Sequence, residues 1–306
     1  MQPDWKGVYP AITTKFTADD QLDMPLFEKN LQFQLDAGVN GIILGGTLGE
    51  ASVLSTEEKE KLVRFTIEKV AGRLPVVLNI AEGSTREALQ QAAYAKAWGA
   101  QGLMILPPMR YKSDHRETVT YFSTIANATD LPIMIYNNPV DYKIDVTPDM
   151  FEELTACANI QAIKESTRDV TNVTRLINRF GDRYKILCGV DTLAMEELLL
   201  GADGWVAGLV CAFPRETVAI YRLVKAGHIE EARKIYRWFM PLLELDIHPK
   251  LVQYIKLAEA RAGIGSENVR PPRLTLAGAE REHVLHTIDT GIANRPELPE
   301  YLHLKS

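Results

Sequence analysis

The sequence predicts an α/β chain, with eight strand–helix units closed into a (β/α)₈ barrel and a helical extension behind it. Three observations carry that prediction. Short apolar runs recur along the chain and are continuous rather than alternating, as parallel strands covered on both faces require. Each run is followed by a longer segment with helical spacing of its apolar residues, which is the pattern of repeated βα units. The chain of 306 residues suits one such barrel with an addition.

Taken in order, the strands are expected at 7–13, 41–44, 75–79, 102–106, 132–136, 160–164, 185–189 and 204–208. The helices between and after them are expected at 25–37, 56–70, 84–98, 116–128, 148–155, 171–180, 192–200 and 215–225. The second helix opens on "STEEKEK", where Ser55 followed by early acids is a helix-start signal. Beyond residue 226 the pattern is helix alone, at 229–243, 250–263 and 277–290. The reading therefore divides the chain into a catalytic barrel, 1–226, and a helical extension packed on it, 227–306. The tail "NRPELPEYLHLKS" reads as loosely ordered.

Composition narrows the function. Hydrophobic residues make up 46% of the chain, enough for a sizeable core. A net charge of −6 argues against nucleic acid and anionic membrane as partners. Cys157, Cys188 and Cys211 form no CxxC pair and read as small core residues in a reducing compartment. The N-terminus lacks a basic-then-apolar leader, and the best apolar stretch, 198–213, is interrupted by Asp203 and glycines. The expectation is a cytoplasmic protein. The six histidines show no metal spacing, and no GxGxxG follows a strand, so neither a metal nor a nicotinamide cofactor is expected.

In a barrel of this kind the active site lies at the C-terminal ends of the strands. There the chain places "GGTLGE" (45–50), Asn79, "YNNP" (136–139), Lys164, "GVD" (189–191) and "VAGLV" (206–210). Lys185 begins its strand and falls on the opposite face. Lys164 alone among the lysines can reach the mouth from inside the barrel. Position leaves two readings open: an ion pair with Glu165 or Asp191, or a nucleophile whose desolvated amine forms an imine with a ketone. Tyr136, on the neighbouring strand, is either a core-edge tyrosine or a proton shuttle beside that amine. In "GGTLGE", Gly45 and Gly46 allow a nest of backbone N–H groups for a carboxylate, with the Thr47 hydroxyl as a further donor. The charged run "RYKSDHRE" (110–117) is a solvated loop, a lid or a subunit contact.

"GGTLGE", "YNNP" and "IKEST" stand in that order on those strands, followed by "GVD" and "GADGWVAG". Together they resemble the dihydrodipicolinate synthase and N-acetylneuraminate lyase family over essentially the whole chain. The resemblance implies a Schiff-base aldolase-type enzyme, a dimer-of-dimers assembly, and no metal or organic cofactor. It implies that Lys164 forms the imine and that Tyr136 relays protons. It also implies that Thr47 and the backbone of Gly46 and Leu48 hold the 2-oxo acid carboxylate, with Val206 offering a backbone carbonyl. Three positions depart from the synthases. Leu48 stands where they have a second hydroxyl residue, and Met109 where they have a tyrosine exchanged between subunits. Asp141 stands where they have an arginine that grips a distal carboxylate.

A carboxylate cannot grip a carboxylate, so the departures point to other members of the family. "GTLGE" followed by "GLVCAFP" is most similar to the deaminase of 1-pyrroline-4-hydroxy-2-carboxylate, whose opened substrate would offer an amine to Asp141. The alternatives are a 2-oxo-3-deoxy sugar acid dehydratase or aldolase, a sialic acid lyase, the synthase itself, and a catalytically silent 2-oxo acid sensor. The expected partner in every case is a small 2-oxo or cyclic imino acid.

Overall fold

The computed structural model describes residues 1–108 and 111–304, so Met109, the first residue of the 110–117 run and the last two residues lie outside the described residues. Eight parallel strands form the barrel: β1 Gly7–Pro10, β2 Ile42–Leu44, β3 Val76–Ile80, β4 Gly102–Ile105, β5 Ile133–Asn137, β6 Ile160–Glu165, β7 Lys185–Cys188 and β8 Gly204–Ala207. Seven continuous ladders run in the order β1-β8-β7-β6-β5-β4-β3-β2, and a single parallel bridge between Ala11 and Ile43 draws the ring together. All eight expected strands are present. The strands are buried nearly throughout, which is why they read as continuous apolar runs.

The helices around the barrel are α1 Met24–Ala37, α2 Thr56–Val70, α3 Thr85–Trp98, α4 His115–Asn127, α5 Pro139–Tyr142, α6 Pro148–Leu154, α7 Thr171–Phe180, α8 Ala194–Leu199 and α9 Pro214–Lys225. The extension supplies α10 Ile229–Leu243, α11 Leu251–Arg261 and α12 Gly278–Ala293. Local chemistry fixes their starts. Ser55 and Glu58 form a reciprocal capping box on α2, and Asp114 and Glu117 form another on α4. Gly38 and Gly99 end α1 and α3 in the left-handed region, with φ of 84° and 93°. Among the described residues no helix is long and apolar enough to cross a membrane. The three cysteines are free and buried.

The structure differs from expectation in three places. A four-residue helix, α5, follows β5 at once. It is too short to show periodicity, and its only cue is Asn138 as N-cap with Pro139 at the first helical position. The first strand ends at Pro10, because Thr13 and Lys15 leave the sheet to meet the extension. The tail is anchored rather than loose: Tyr301 is buried, its hydroxyl donates to the Ala37 carbonyl at 3.4 Å, and Arg222 donates to the Leu302 carbonyl. One buried aromatic is enough to hold a segment that otherwise has the composition of a free end.

The extension is tied to the barrel mouth by charges that water does not reach. Lys15 and Glu259 of α11 pair at 2.8 Å, and Thr13 donates to the same carboxylate oxygen at 2.7 Å. Glu50, the last residue of the "GGTLGE" turn, pairs with Lys256 of α11; the side chains of both pairs are wholly buried. The other oxygen of Glu50 accepts from the Arg270 backbone at 3.1 Å, and Lys256 also donates to the Asn268 carbonyl at 2.7 Å. The Arg270 guanidinium grips both oxygens of Glu58, at 2.7 and 2.8 Å, and its face covers Phe16. Removing one partner of a buried pair strands the other charge. Lys256→Met is therefore expected to lower unfolding free energy by about 3 kcal/mol or more in a denaturant titration. Lys256→Met combined with Glu50→Gln should lose less than the sum of the two single changes. Additive losses would show that the pair is not coupled.

Candidate active site

Where the strands end, a cavity of about 1000 Å³ opens. Gly46, Thr47, Leu48, Tyr136, Asp141, Lys164 and Val206, the residues singled out from the sequence, all line it.

Lys164 sits on β6 in register with Tyr136 of β5 on one side and Leu187 of β7 on the other. Its Nζ lies 3.8 Å from the centroid of the Tyr136 ring. Gly189 makes room for it: a Cβ there would come within 2.7 Å of both Cγ and Cε of Lys164 and would strike the Ser166 hydroxyl. Burial pushes the Lys164 amine below the ordinary lysine range, against the opposing pull of Tyr142, Asp246 and Asp191. Neither expected ion-pair partner is engaged with it. Glu165 points away and accepts from the Thr167 backbone at 2.7 Å and from Asn172 at 2.8 Å. Asp191 is held by the Trp205 indole at 2.9 Å and by the backbone N–H groups of Leu209, at 2.7 Å, and Gly208, at 3.1 Å. Among the described residues no carboxylate forms an ion pair with Lys164.

Tyr136 is pushed up to about 12, chiefly by burial, so its hydroxyl stays protonated. Asn138, which the sequence reading passed over, divides its amide between two neighbours. It donates to the Tyr136 hydroxyl at 3.2 Å and to the Asp141 carboxylate at 2.7 Å, while its carbonyl caps the Asp141 backbone at 3.2 Å. Asp141 is exposed at the rim, and its orientation is set by Asn138 and α5. Tyr142, on the same short helix, meets Tyr136 edge-on at 5.6 Å, and its hydroxyl lies 3.1 Å from Thr47 Oγ1. A hydroxyl-lined corner thus forms beside the lysine.

In the 45–50 turn Gly45 has φ of 69°, a left-handed value that favours glycine. Nothing among the described residues accepts from the backbone N–H groups of Thr47 and Leu48, which leaves both for an anion. The Leu48 side chain is buried and packs toward Gly208, so that residue presents only its backbone to the cavity. Val206 is buried on β8, in register with Tyr9 of β1.

Asp246 also escaped the sequence reading. It lies on the 3-10 turn Glu244–Ile247 that follows α10, in a part of the chain read as helix alone, yet it lines the same cavity. Burial pushes its carboxyl well above the usual carboxylate range; Asp191 and Asp141 reinforce that shift and Lys164 opposes it. No local signal marks Asp246 or Tyr142, because only tertiary packing brings them to Lys164. Among the described residues no group of three or more His, Cys, Asp or Glu side chains is placed to hold a metal ion.

Comparison with known proteins matches this arrangement to one family. The family model described as "Dihydrodipicolinate synthetase family" matches residues 4–290. A 4-hydroxy-tetrahydrodipicolinate synthase of Exiguobacterium sibiricum is 31% identical, covering 93% of this chain and 97% of its own. One from Aquifex aeolicus is 30% identical, covering 93% and 96%. The solved structure of the 4-hydroxy-tetrahydrodipicolinate synthase from Methylacidiphilum fumariolicum superposes with a TM-score of 0.89 at 31% identity, over 94% of this chain and 96% of that one. A prophage protein of the dihydrodipicolinic acid synthase family from E. coli, solved in complex with pyruvate, superposes with a TM-score of 0.88 at 27% identity, over 94% and 98%. With the barrel, the buried lysine and these relatives in agreement, the chain belongs to the dihydrodipicolinate synthetase family and is an enzyme of the lysine Schiff-base lyase class.

Proposed function

We propose that the chain is a deaminase of 1-pyrroline-4-hydroxy-2-carboxylate, acting through an imine at Lys164. The observation that carries this reading is the Asp141 carboxylate, held by Asn138 at 2.7 Å on the rim of the cavity that contains Lys164. A second substrate carboxylate would be repelled there, and an ammonium group would be attracted. The Lys164 amine adds to C2 of the cyclic imine, and the ring nitrogen departs as a primary amine at C5. The substrate carboxylate rests on the Thr47 and Leu48 N–H groups, and the Val206 carbonyl faces the bound substrate. Tyr136 relays the C3 proton to water, giving up its own hydroxyl proton as it accepts that one, and the resulting enamine expels the C4 hydroxyl. After proton shifts to a C5 imine, water hydrolyses both imines. Net, the substrate and one water give 2,5-dioxopentanoate and ammonia.

A 2-oxo-3-deoxy sugar acid dehydratase is the second reading, favoured by the room in a cavity of about 1000 Å³. The condensation named for the curated relatives would need a cation for a distal carboxylate; Lys59, Arg168 and Arg273 line the cavity, and of these Lys59 pairs with Glu82 at 3.6 Å and Arg273 with Glu50 at 3.8 Å. The discriminating assay offers the protein the pyrroline substrate, sugar acids, sialic acid, and pyruvate with aspartate semialdehyde, and follows ammonia, pyruvate and dioxopentanoate. Assembly as a dimer of dimers belongs to the same proposal, and sedimentation would test it.

Borohydride in the presence of substrate should leave a reduced adduct on the peptide that contains Lys164, and Lys164→Arg should leave none. An adduct confined to another lysine would refute the assignment. Tyr136→Phe should lower kcat by about a hundredfold or more with the fold intact, as loss of a general acid–base does; an unchanged kcat would reduce Tyr136 to a packing role. Asp141→Asn should lower kcat/KM for the pyrroline substrate on the order of tenfold, the effect of losing a contact of about 1.4 kcal/mol. If that value does not move while Lys164→Arg is inactive, the imine mechanism stands and the preference for an amine-bearing substrate falls.

A further inference from the structure

The mechanism above leaves one carboxyl group at the barrel mouth without a task. Asp246 comes from outside the barrel, on the turn that closes α10, and lines the cavity with Lys164 and Tyr136. Among the described residues it accepts no hydrogen bond and forms no ion pair. Buried and half-buried carboxyl groups normally have such partners. Its seat is nevertheless shaped for it: a Cβ at Gly208 would collide with its carboxyl oxygen, so the absence of a side chain there admits it. The charged groups that face it are Lys164 from β6, Asp191 from the turn after β7, and Asp141 from α5. An unbonded carboxyl directed into the cavity keeps its full hydrogen-bonding capacity for a ligand.

We propose that Asp246 is the general acid that protonates the hydroxyl leaving from C4 of the Lys164-bound substrate. The proposal rests on the imine reading, but it holds for the pyrroline and the sugar-acid substrate alike, because both carry a hydroxyl on that carbon. In the enamine the nitrogen lone pair re-forms the C2=N bond, and the C2=C3 pair becomes the C3=C4 bond. The C4–O bond breaks with its electron pair on oxygen, and that oxygen takes the Asp246 proton and leaves as water. Asp246 regains a proton from solvent before the next turnover. Without an acid the departing group would be hydroxide, which leaves poorly. Burial, Asp191 and Asp141 push the carboxyl above the usual carboxylate range, in the direction of the protonated form, while Lys164 alone acts against them. A carboxyl kept neutral so that it can donate a proton is a known use of this kind of environment.

The test uses the full chain, its Asp246→Asn variant, and two substrates that differ only in the C4 leaving group, hydroxyl or fluoride. Borohydride trapping at Lys164 and exchange of the C3 hydrogens with deuterated water report the steps before elimination. Product release reports elimination itself. The expected result is that Asp246→Asn traps and exchanges as the unaltered protein does, loses about a hundredfold or more in turnover of the hydroxyl substrate, and recovers to within about tenfold on the fluoride, which needs no proton to leave. Undiminished turnover of the hydroxyl substrate would overturn the proposal. So would an equal loss on both leaving groups alongside normal trapping, because Asp246 would then act at some other step. Absence of any adduct or exchange in the unaltered protein would instead overturn the imine reading, and the role of Asp246 with it.

Discussion

A lysine amine taken out of water, with no carboxylate among the described residues paired to it, is the constraint on which the mouth of this barrel depends. Desolvation of an ammonium costs several kcal/mol even after relaxation, so the amine is biased toward its neutral form. The surroundings keep that bias in place. Glu165, next in sequence, turns to the Thr167 backbone and Asn172. Asp191, close enough for its charge to be felt, is committed to Trp205 and to the N–H groups of Leu209 and Gly208. Two glycines finish the arrangement, Gly189 clearing the path of the lysine stem and Gly208 clearing that of Asp246. Beside Nζ stands the face of the Tyr136 ring, 3.8 Å from its centroid, a setting suited to a neutral nucleophile.

The site draws on three parts of the chain with different tasks. Strand ends supply Lys164, Tyr136 and the open N–H groups of Thr47 and Leu48, all on rigid backbone. The four-residue helix α5 supplies Asp141 and Tyr142, and Asn138 at its cap connects Asp141 to the Tyr136 hydroxyl. The turn after α10 supplies Asp246. In the proposed mechanism, chemistry at C2 and recognition of the far end of the substrate are therefore carried by separate pieces of backbone that share one hydrogen-bonded amide.

How much of this the sequence disclosed follows from what kind of signal each part carries. Strands buried on both faces leave short but unbroken apolar runs, so all eight were legible, and Lys164 stood out because a charged residue interrupts one of them at the mouth. Gly45 was legible because the turn after β2 needs a residue that tolerates positive φ. The helix α5 was not, since a single turn has no period; in hindsight Asn138-Pro139 was its only mark. Asp246 and Tyr142 carried no signal at all, because a 3-10 turn in the extension and a loop helix meet at Lys164 only through tertiary packing. The early departure of Thr13 and Lys15 from the first strand was hidden for the same reason, their partner Glu259 lying far along the chain.

The buried pairs between barrel and extension bear on how such a protein can change over evolutionary time. A chain ending after α9 would still encode Lys164 and every strand. It would also strand Lys15 without Glu259 and Glu50 without Lys256, two charges in places water does not reach. Each orphaned charge is expected to cost about 3–5 kcal/mol, a large share of what a domain has to spare. Glu50 closes the very turn whose Thr47 and Leu48 N–H groups are left open. Recombination that exchanged the C-terminal quarter for an unrelated one would therefore damage folding and, under the proposed function, anion binding together. On the α5 helix Tyr142 is tied to Tyr136 and Thr47, whereas Asp141 is held by Asn138, so under the proposed function drift at Asp141 offers new specificities an easier route than change in the helices behind the barrel.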